Sequence, residues 1–381
     1  FQAEDGIRYV AVTGVQTCAL PILMKSSLLE RFTDLAIAGV LWGFRVAVVL
    51  IVVVGSFLTI ASGRYPAAAW IDLIVNGATL GSIYALIALG YTMVYGILRM
   101  INFAHGEIFM TGAFGGYFAG VALNGAGFLN QGALASIVSI VVMIAVAVLI
   151  ATPLALLVER IAYRPLRNAP RLVPLISAIG ASFVLQYTVR GFVGAGIYAY
   201  PAVSVLNTEL PLGDVRVKWV EVLVIAAAVV MMTVLYLFVM KTRMGTAIRA
   251  VSEDKDTAAL MGIDVNRTIV TTFALGAAMA GAAGVLYALY FRQVFYFTGF
   301  VPGIKAFTAA VLGGIGNIPG AMLGGLFLGE IESVGATLFL DGLNIPSPNQ
   351  LKDVIAFTML VLVLVFRPSG LLGERITRAK A

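Results

Sequence analysis

Trp219–Met240 and Thr268–Phe291 are each long and apolar enough to cross a bilayer, a task that takes about twenty apolar residues in a helix. Between them lies Lys241–Arg267, KTRMGTAIRAVSEDKDTAALMGIDVNR, so a polar stretch is held at one membrane face by a span on either side. A short helix is expected inside it. Ser252 is a candidate N-cap, and Glu253 and Asp254 put negative charge at the positive end of the helix dipole. Ala258, Ala259, Leu260 and Met261 favour helix, and Gly262 can take the left-handed conformation that ends it. An isolated helix of about two turns is marginal in water, so this one is expected to pack against something.

The rest of the chain repeats the apolar theme. Hydrophobic residues make up 60% of it and charged residues 12%, far from a soluble domain. The apolar runs are continuous and do not alternate, which excludes a β-barrel. The fold class is therefore an all-α polytopic membrane protein with about 8–10 transmembrane helices. The net charge of +6 is no sign of nucleic-acid binding, because Lys and Arg cluster in a few loops. Residues 1–23 have neither a basic n-region nor a long apolar core. They resemble translated sequencing adaptor and are read as non-native, which sets aside Cys18, the only cysteine. Without it there is no disulfide and no cysteine metal site.

In chain order, residues 24–66 hold an N-terminal cytoplasmic segment and a first span, Leu35–Ile60. Further spans follow at Ile71–Leu98, Ile108–Leu123, Ala133–Val158 and Leu172–Val193, then at Trp219–Met240 and Thr268–Phe291. Around Leu-Pro-Leu-Gly-Asp, the segments Val203–Val205 and Val215–Trp219 alternate as a small hairpin would. Pro302–Leu340 is interrupted by Gly313–Gly320, so two helices or half-helices are expected to meet there. A last span, Leu351–Phe366, ends at Arg367-Pro368, ahead of a basic tail over residues 374–381. Small residues form ladders at Gly77/Gly81, Gly112/Gly116, Gly276/Gly284 and Gly320/Gly324, where helices are expected to pack closely. One threading puts the basic loops 160–171 and 241–267, the tail and the N-terminus in the cytoplasm, provided the broken segment makes either two crossings or a re-entrant return.

Two kinds of motif carry a resemblance. Asp256-Thr257-Ala258-x-x-x-Gly262 is similar to the "EAA…G" coupling loop of ABC importer permeases, with Asp for Glu and Thr for the first Ala. Asn76–Leu86, Tyr91–Gly96, Ile101–Glu107, Glu159–Arg167, Lys305-Ala-Phe with Gly313–Gly316, and Arg367–Gly373 resemble branched-chain amino acid ABC permeases of the LivH type. The resemblance covers a permease domain over residues 67–373. It implies a subunit of a bacterial inner-membrane importer that pairs with a second, related permease. Two cytosolic ABC ATPase subunits and an extracytoplasmic substrate-binding protein complete the assembly. It also implies that Asp256, Thr257, Ala258, Ala259 and Gly262 dock on an ATPase. The chain has no G-x-x-x-x-G-K-[ST] loop to cradle phosphates, so ATP and Mg are expected in the partner subunits and no cofactor in this chain. The same family also serves urea and short amides.

Ionisable residues inside apolar stretches tend to mark pathways. Asn102, His105 and Glu107 stand where the second span turns into the third. Either they line a path or gate, or they cap the third helix at the membrane interface. His105 has no second histidine to share a metal with. Glu330 and Glu332 follow the glycine break, with Lys305 as the candidate partner for both. They either orient the half-helices or meet a substrate ammonium group. An ion-coupled carrier using Glu330 or Glu332 is the competing class. An intramembrane enzyme lacks a Ser, Cys or Asp constellation around His105.

Overall fold

A computed structural model describes residues 33, 35–167, 169–170, 172–210, 215–367 and 369–373. The expected adaptor segment with Cys18, the first residues of the N-terminal segment, Arg171 and the basic tail lie outside the described residues. The chain forms two compact units. In the smaller, α1 (Leu35–Ala61) meets the stretch 338–346. Gly342 N donates to Thr59 Oγ1 at 2.8 Å there, and Gly55 lies against the backbone of Phe339.

The larger unit is a helical bundle made of α2 (Ala67–Leu98), α3 (His105–Gly125), α4 (Ala133–Val158), α5 (Leu172–Val193), α6 (Trp219–Lys241), α9 (Val265–Phe291), α10 (Phe300–Gly313), α11 (Ile318–Glu330) and α12 (Lys352–Phe366). Two short helices, α7 (Arg243–Glu253) and α8 (Lys255–Leu260), fill the polar loop between α6 and α9. Among the described residues, eight helices are long and apolar enough to cross a membrane. This is a multi-pass, all-α membrane protein, as the continuous apolar runs require. The helix α3 is not among the eight. It has the length, but its glycines, His105 and Glu107 lower its hydropathy.

Bilayer helices gain little from hydrophobic burial against each other, so contact depends on close backbone approach. The core is built that way around α2, whose Ile83, Leu86, Ile87 and Leu89 are fully buried. A Cβ on Gly81 would stand 2.8 Å from Leu326 Cα, and Gly329 abuts the backbone of Gly81. Gly112 faces the Gly281 backbone, Gly284 faces Phe109 and Ala113, and Gly276 lies against Gly90. Gly116 makes room for Tyr200 and Val285. Gly77 and Gly81 thus lie on the seam between α2 and α11, Gly112, Gly116 and Gly284 on that between α3 and α9, and Gly276 between α9 and α2.

The break in Pro302–Leu340 is also as expected. At 14 residues, α10 is too short to span at 1.5 Å per residue. The chain turns at Gly314 and Gly316, both at positive φ, and α11 returns against it. Gly320 and Gly324 meet Gly313 and Ala309 at that hairpin. Beyond α11 the winding widens to a π-helix over Ile331–Leu340.

Outside the bundle, β1 (Tyr198–Ala199) pairs antiparallel with β2 (Gln293–Val294). The expected hairpin is corrected in part. Ser204–Asn207 forms a 3-10 turn instead of a strand. The pairing partner of the second strand is Thr208–Leu210, through a bridge between Glu209 and Lys218.

Candidate functional site

The polar loop is built by a succession of caps. Thr242 Oγ1 accepts from Gly245 N at 3.0 Å and starts α7, which turns Ile248 and Val251 inward. The expected cap at Ser252 is corrected. Ser252 lies inside α7, where its hydroxyl donates to the Arg249 carbonyl at 2.7 Å. The cap of α8 is Asp254, whose Oδ1 accepts from the backbone of Asp256 at 2.9 Å and of Thr257 at 3.1 Å. The Thr257 hydroxyl donates to Asp254 Oδ2 at 2.8 Å. These donors hold the Asp254 carboxyl below its ordinary range, the Thr257 backbone N–H first among them.

Gly262 takes φ +82° and ends α8. Its N–H donates to the Ala259 carbonyl, and Ile263 N donates to Ala258, which satisfies the last carbonyls of the helix. Of the five expected coupling residues, Ala258 is buried, while Asp256, Thr257, Ala259 and Gly262 are exposed. Beside them Leu260 is 87% and Met261 79% exposed. The loop thus presents a capped two-turn peg with an apolar tip.

Three basic residues gather around the polar loop. Arg99, at φ +55° just after α2, donates from Nη2 to the Ser252 carbonyl at 3.0 Å. Arg167 pairs with the buried Glu159 and donates from Nη1 to Asn266 Oδ1 at 2.6 Å. Lys255 is held below its usual pKa by burial first, then by the charges of Arg167 and Arg99. Glu159, Arg99 and Asp254 were not among the expected site residues. The Asp-x-x-Thr spacing at Asp254 was the one available signal.

Asn102, His105 and Glu107 gather at the N-terminus of α3, all at most 2% exposed. Asn102 Oδ1 accepts from Tyr163 at 3.0 Å, and Glu107 Oε1 accepts from Ser182 at 3.3 Å. The His105 ring donates to the Ile87 backbone and stacks edge-on to Tyr91, in space left by Gly90. Each of the three keeps one buried polar atom without a partner: Asn102 Nδ2, His105 Nε2 and Glu107 Oε2. In this conformation the group does not open to the surface.

The second polar group sits on α10, the π-helical stretch and α12. Lys305 Nζ lies 2.7 Å from Glu332 Oε1 and 2.6 Å from Asp353 Oδ1. It also stands 5.8 Å over the Tyr84 ring. The expected pairing holds for Glu332 and fails for Glu330. Glu330 leads the helix by two residues and so points to another face, where its carboxylate covers Gly77. Asp353 was missed, because an acid in the first turn of the last span reads as a dipole-complementing residue.

Comparison with known proteins agrees with the architecture. The family described as branched-chain amino acid transport system / permease component matches residues 73–364. The permease protein BraD of the high-affinity branched-chain amino acid transport system of Pseudomonas aeruginosa is 44% identical over 309 residues, 80% of this chain and 96% of that protein. LivH of Salmonella typhimurium is 42% identical and LivH of Escherichia coli 43%, each over 78% of this chain and 94% of the relative. With a family match over most of its length and such identity to whole relatives, this chain belongs to the branched-chain amino acid transport permease family and is a transport subunit, not an enzyme.

Proposed function

We propose that the chain is a membrane-spanning permease of an ABC importer for branched-chain or related small amino acids. Its partners are a second, related permease, two cytosolic ATPase subunits that use ATP and Mg, and an extracytoplasmic binding protein. It sits in the bacterial plasma membrane with both termini and the polar loop on the cytoplasmic side, as the distribution of Lys and Arg supports. The observation that carries the reading is the peg α8. Leu260 and Met261 give the peg an apolar tip on an otherwise polar loop, the feature a docking helix presents to a groove on its partner.

In this mechanism the binding protein delivers solute on the outer face near residues 194–219. Closure of the ATPases pushes α8, and the displacement passes into helices joined by glycine seams. Those seams have few interlocking side chains to resist sliding. The kinship with BraD and LivH favours amino acids over urea or amides as cargo.

Co-expression with the ATPase and binding-protein genes of the same operon tests the reading. A stable complex whose proteoliposomes take up leucine only with ATP is the expected outcome. Uptake that follows a sodium or proton gradient without ATP would overturn it in favour of an ion-coupled carrier.

A further inference from the structure

The cluster around Lys305 holds one cation and two carboxylates, and it is not closed. Glu332 is 5% exposed, yet its Oε2 has no hydrogen-bond partner. A buried acceptor left in that state is costly. Asp353 has 55% of its side chain exposed, against 7% for Lys305 and 6% for Glu332, so the cluster opens to the surface on the Asp353 side. The Tyr84 hydroxyl reaches the Glu332 carboxylate and Tyr287 stands near it, so hydroxyl-bearing rings wall the site. Glu332 itself projects from a π-helical stretch, a winding found often at functional sites.

Resting on the reading above, we propose that Lys305, Glu332 and Asp353 form a relay site for the zwitterionic main chain of an α-amino acid. The substrate ammonium sits between Asp353 and the free oxygen of Glu332, and the substrate carboxylate sits on Lys305. A zwitterion brings one cation and one anion, so it can insert into the Lys–carboxylate contacts and leave every buried charge with a partner. A neutral amide or urea, or an acid lacking the amine, cannot make that exchange and strands a buried charge, which is strongly unfavourable. The site thus selects for the main chain and leaves side-chain selectivity to other parts of the importer.

The test uses the complete importer in proteoliposomes, with radiolabelled leucine and saturating binding protein. Asp353→Asn is the primary variant because it leaves the buried Lys305–Glu332 pair in place. Leucine uptake is expected to fall at least tenfold, while ATP hydrolysis stimulated by leucine-loaded binding protein stays within twofold of wild type. Glu332→Gln, if it inserts, is expected to behave likewise. In wild-type assemblies without binding protein, leucine held in the membrane subunits is expected to be displaced by isoleucine and not by urea or 4-methylpentanoate. Wild-type uptake by Asp353→Asn, equal losses of uptake and ATP hydrolysis, or displacement by 4-methylpentanoate would each overturn the relay alone. Failure of the wild-type importer to take up leucine with ATP would overturn the relay together with the amino-acid reading.

Discussion

The guanidinium of Arg99 donates to the carbonyl of Ser252 at 3.0 Å, tying the end of the most enclosed helix, α2, to the loop that carries the exposed peg α8. From α2 the contact continues across Gly77 and Gly81 into α11, and along that chain to Glu332. The polar loop is thus joined to the bundle through Arg99, α2 and α11, as far as the buried Lys305–Glu332 pair. Arg99→Ala removes the tie without touching the peg. Leucine uptake should drop roughly five-fold, the scale of losing one exposed hydrogen bond worth about 1 kcal/mol, while ATPase binding stays intact. Pull-down and uptake measured on one preparation check this.

Gly262 ends α8 at φ +82°, and a side chain there would meet open space. Strain therefore comes from the backbone alone. Gly262→Val should destabilise the turn by about 1–2 kcal/mol, whereas Gly262→Asn, which tolerates the left-handed region, should retain most uptake. Equal uptake by the two variants would remove the conformational explanation.

Gly81 and Gly329 let the backbones of α2 and α11 touch. Gly81→Ala places a methyl 2.8 Å from Leu326 Cα, a backbone atom that cannot swing away. Overpacking of this kind costs about 1–3 kcal/mol. Thermal unfolding in detergent should shift down by several degrees, with Gly81→Leu failing to assemble. Gly125→Ala, with nothing within 4 Å, serves as the neutral control.

The cap of α8 gives a pH dependence with a definite sign. The carboxyl of Asp254 titrates lower in the folded chain than when unfolded. Its contribution to the helix is complete above the ordinary aspartate value of about 3.9 and is lost as pH falls through the lower folded value. Amide resonances of Asp256 and Thr257 in nanodiscs should titrate together in that acidic window. With Asp254→Asn, which keeps an accepting oxygen, the Thr257 amide should lose that titration.

How legible was this in the sequence? The apolar spans were readable to within a few residues at each end, because a span must satisfy its backbone internally. The glycine ladders were readable for the same reason: close approach demands them. Local polar chemistry was harder. Ser252 and Asp254 are both good caps, and only the continuation of α7 through Ser252 decides between them. The Lys305–Glu332 pair could be guessed from two charges near one glycine break. Asp353 arrives from another helix, and a contact across that sequence separation leaves no local trace. The Tyr198–Val294 pairing, between loops far apart in the chain, was invisible for the same reason.

The central claim is that α8 transmits work from separate ATPases into this bundle, and Asp256 is the exposed residue on which that claim can be struck most directly. Reversing its charge, Asp256→Lys, should leave membrane insertion and the glycine-seamed core unchanged. ATP-driven leucine uptake by proteoliposomes of the full importer is the measurement. The account predicts uptake reduced to background with normal amounts of inserted protein; uptake at the unmodified rate would contradict it.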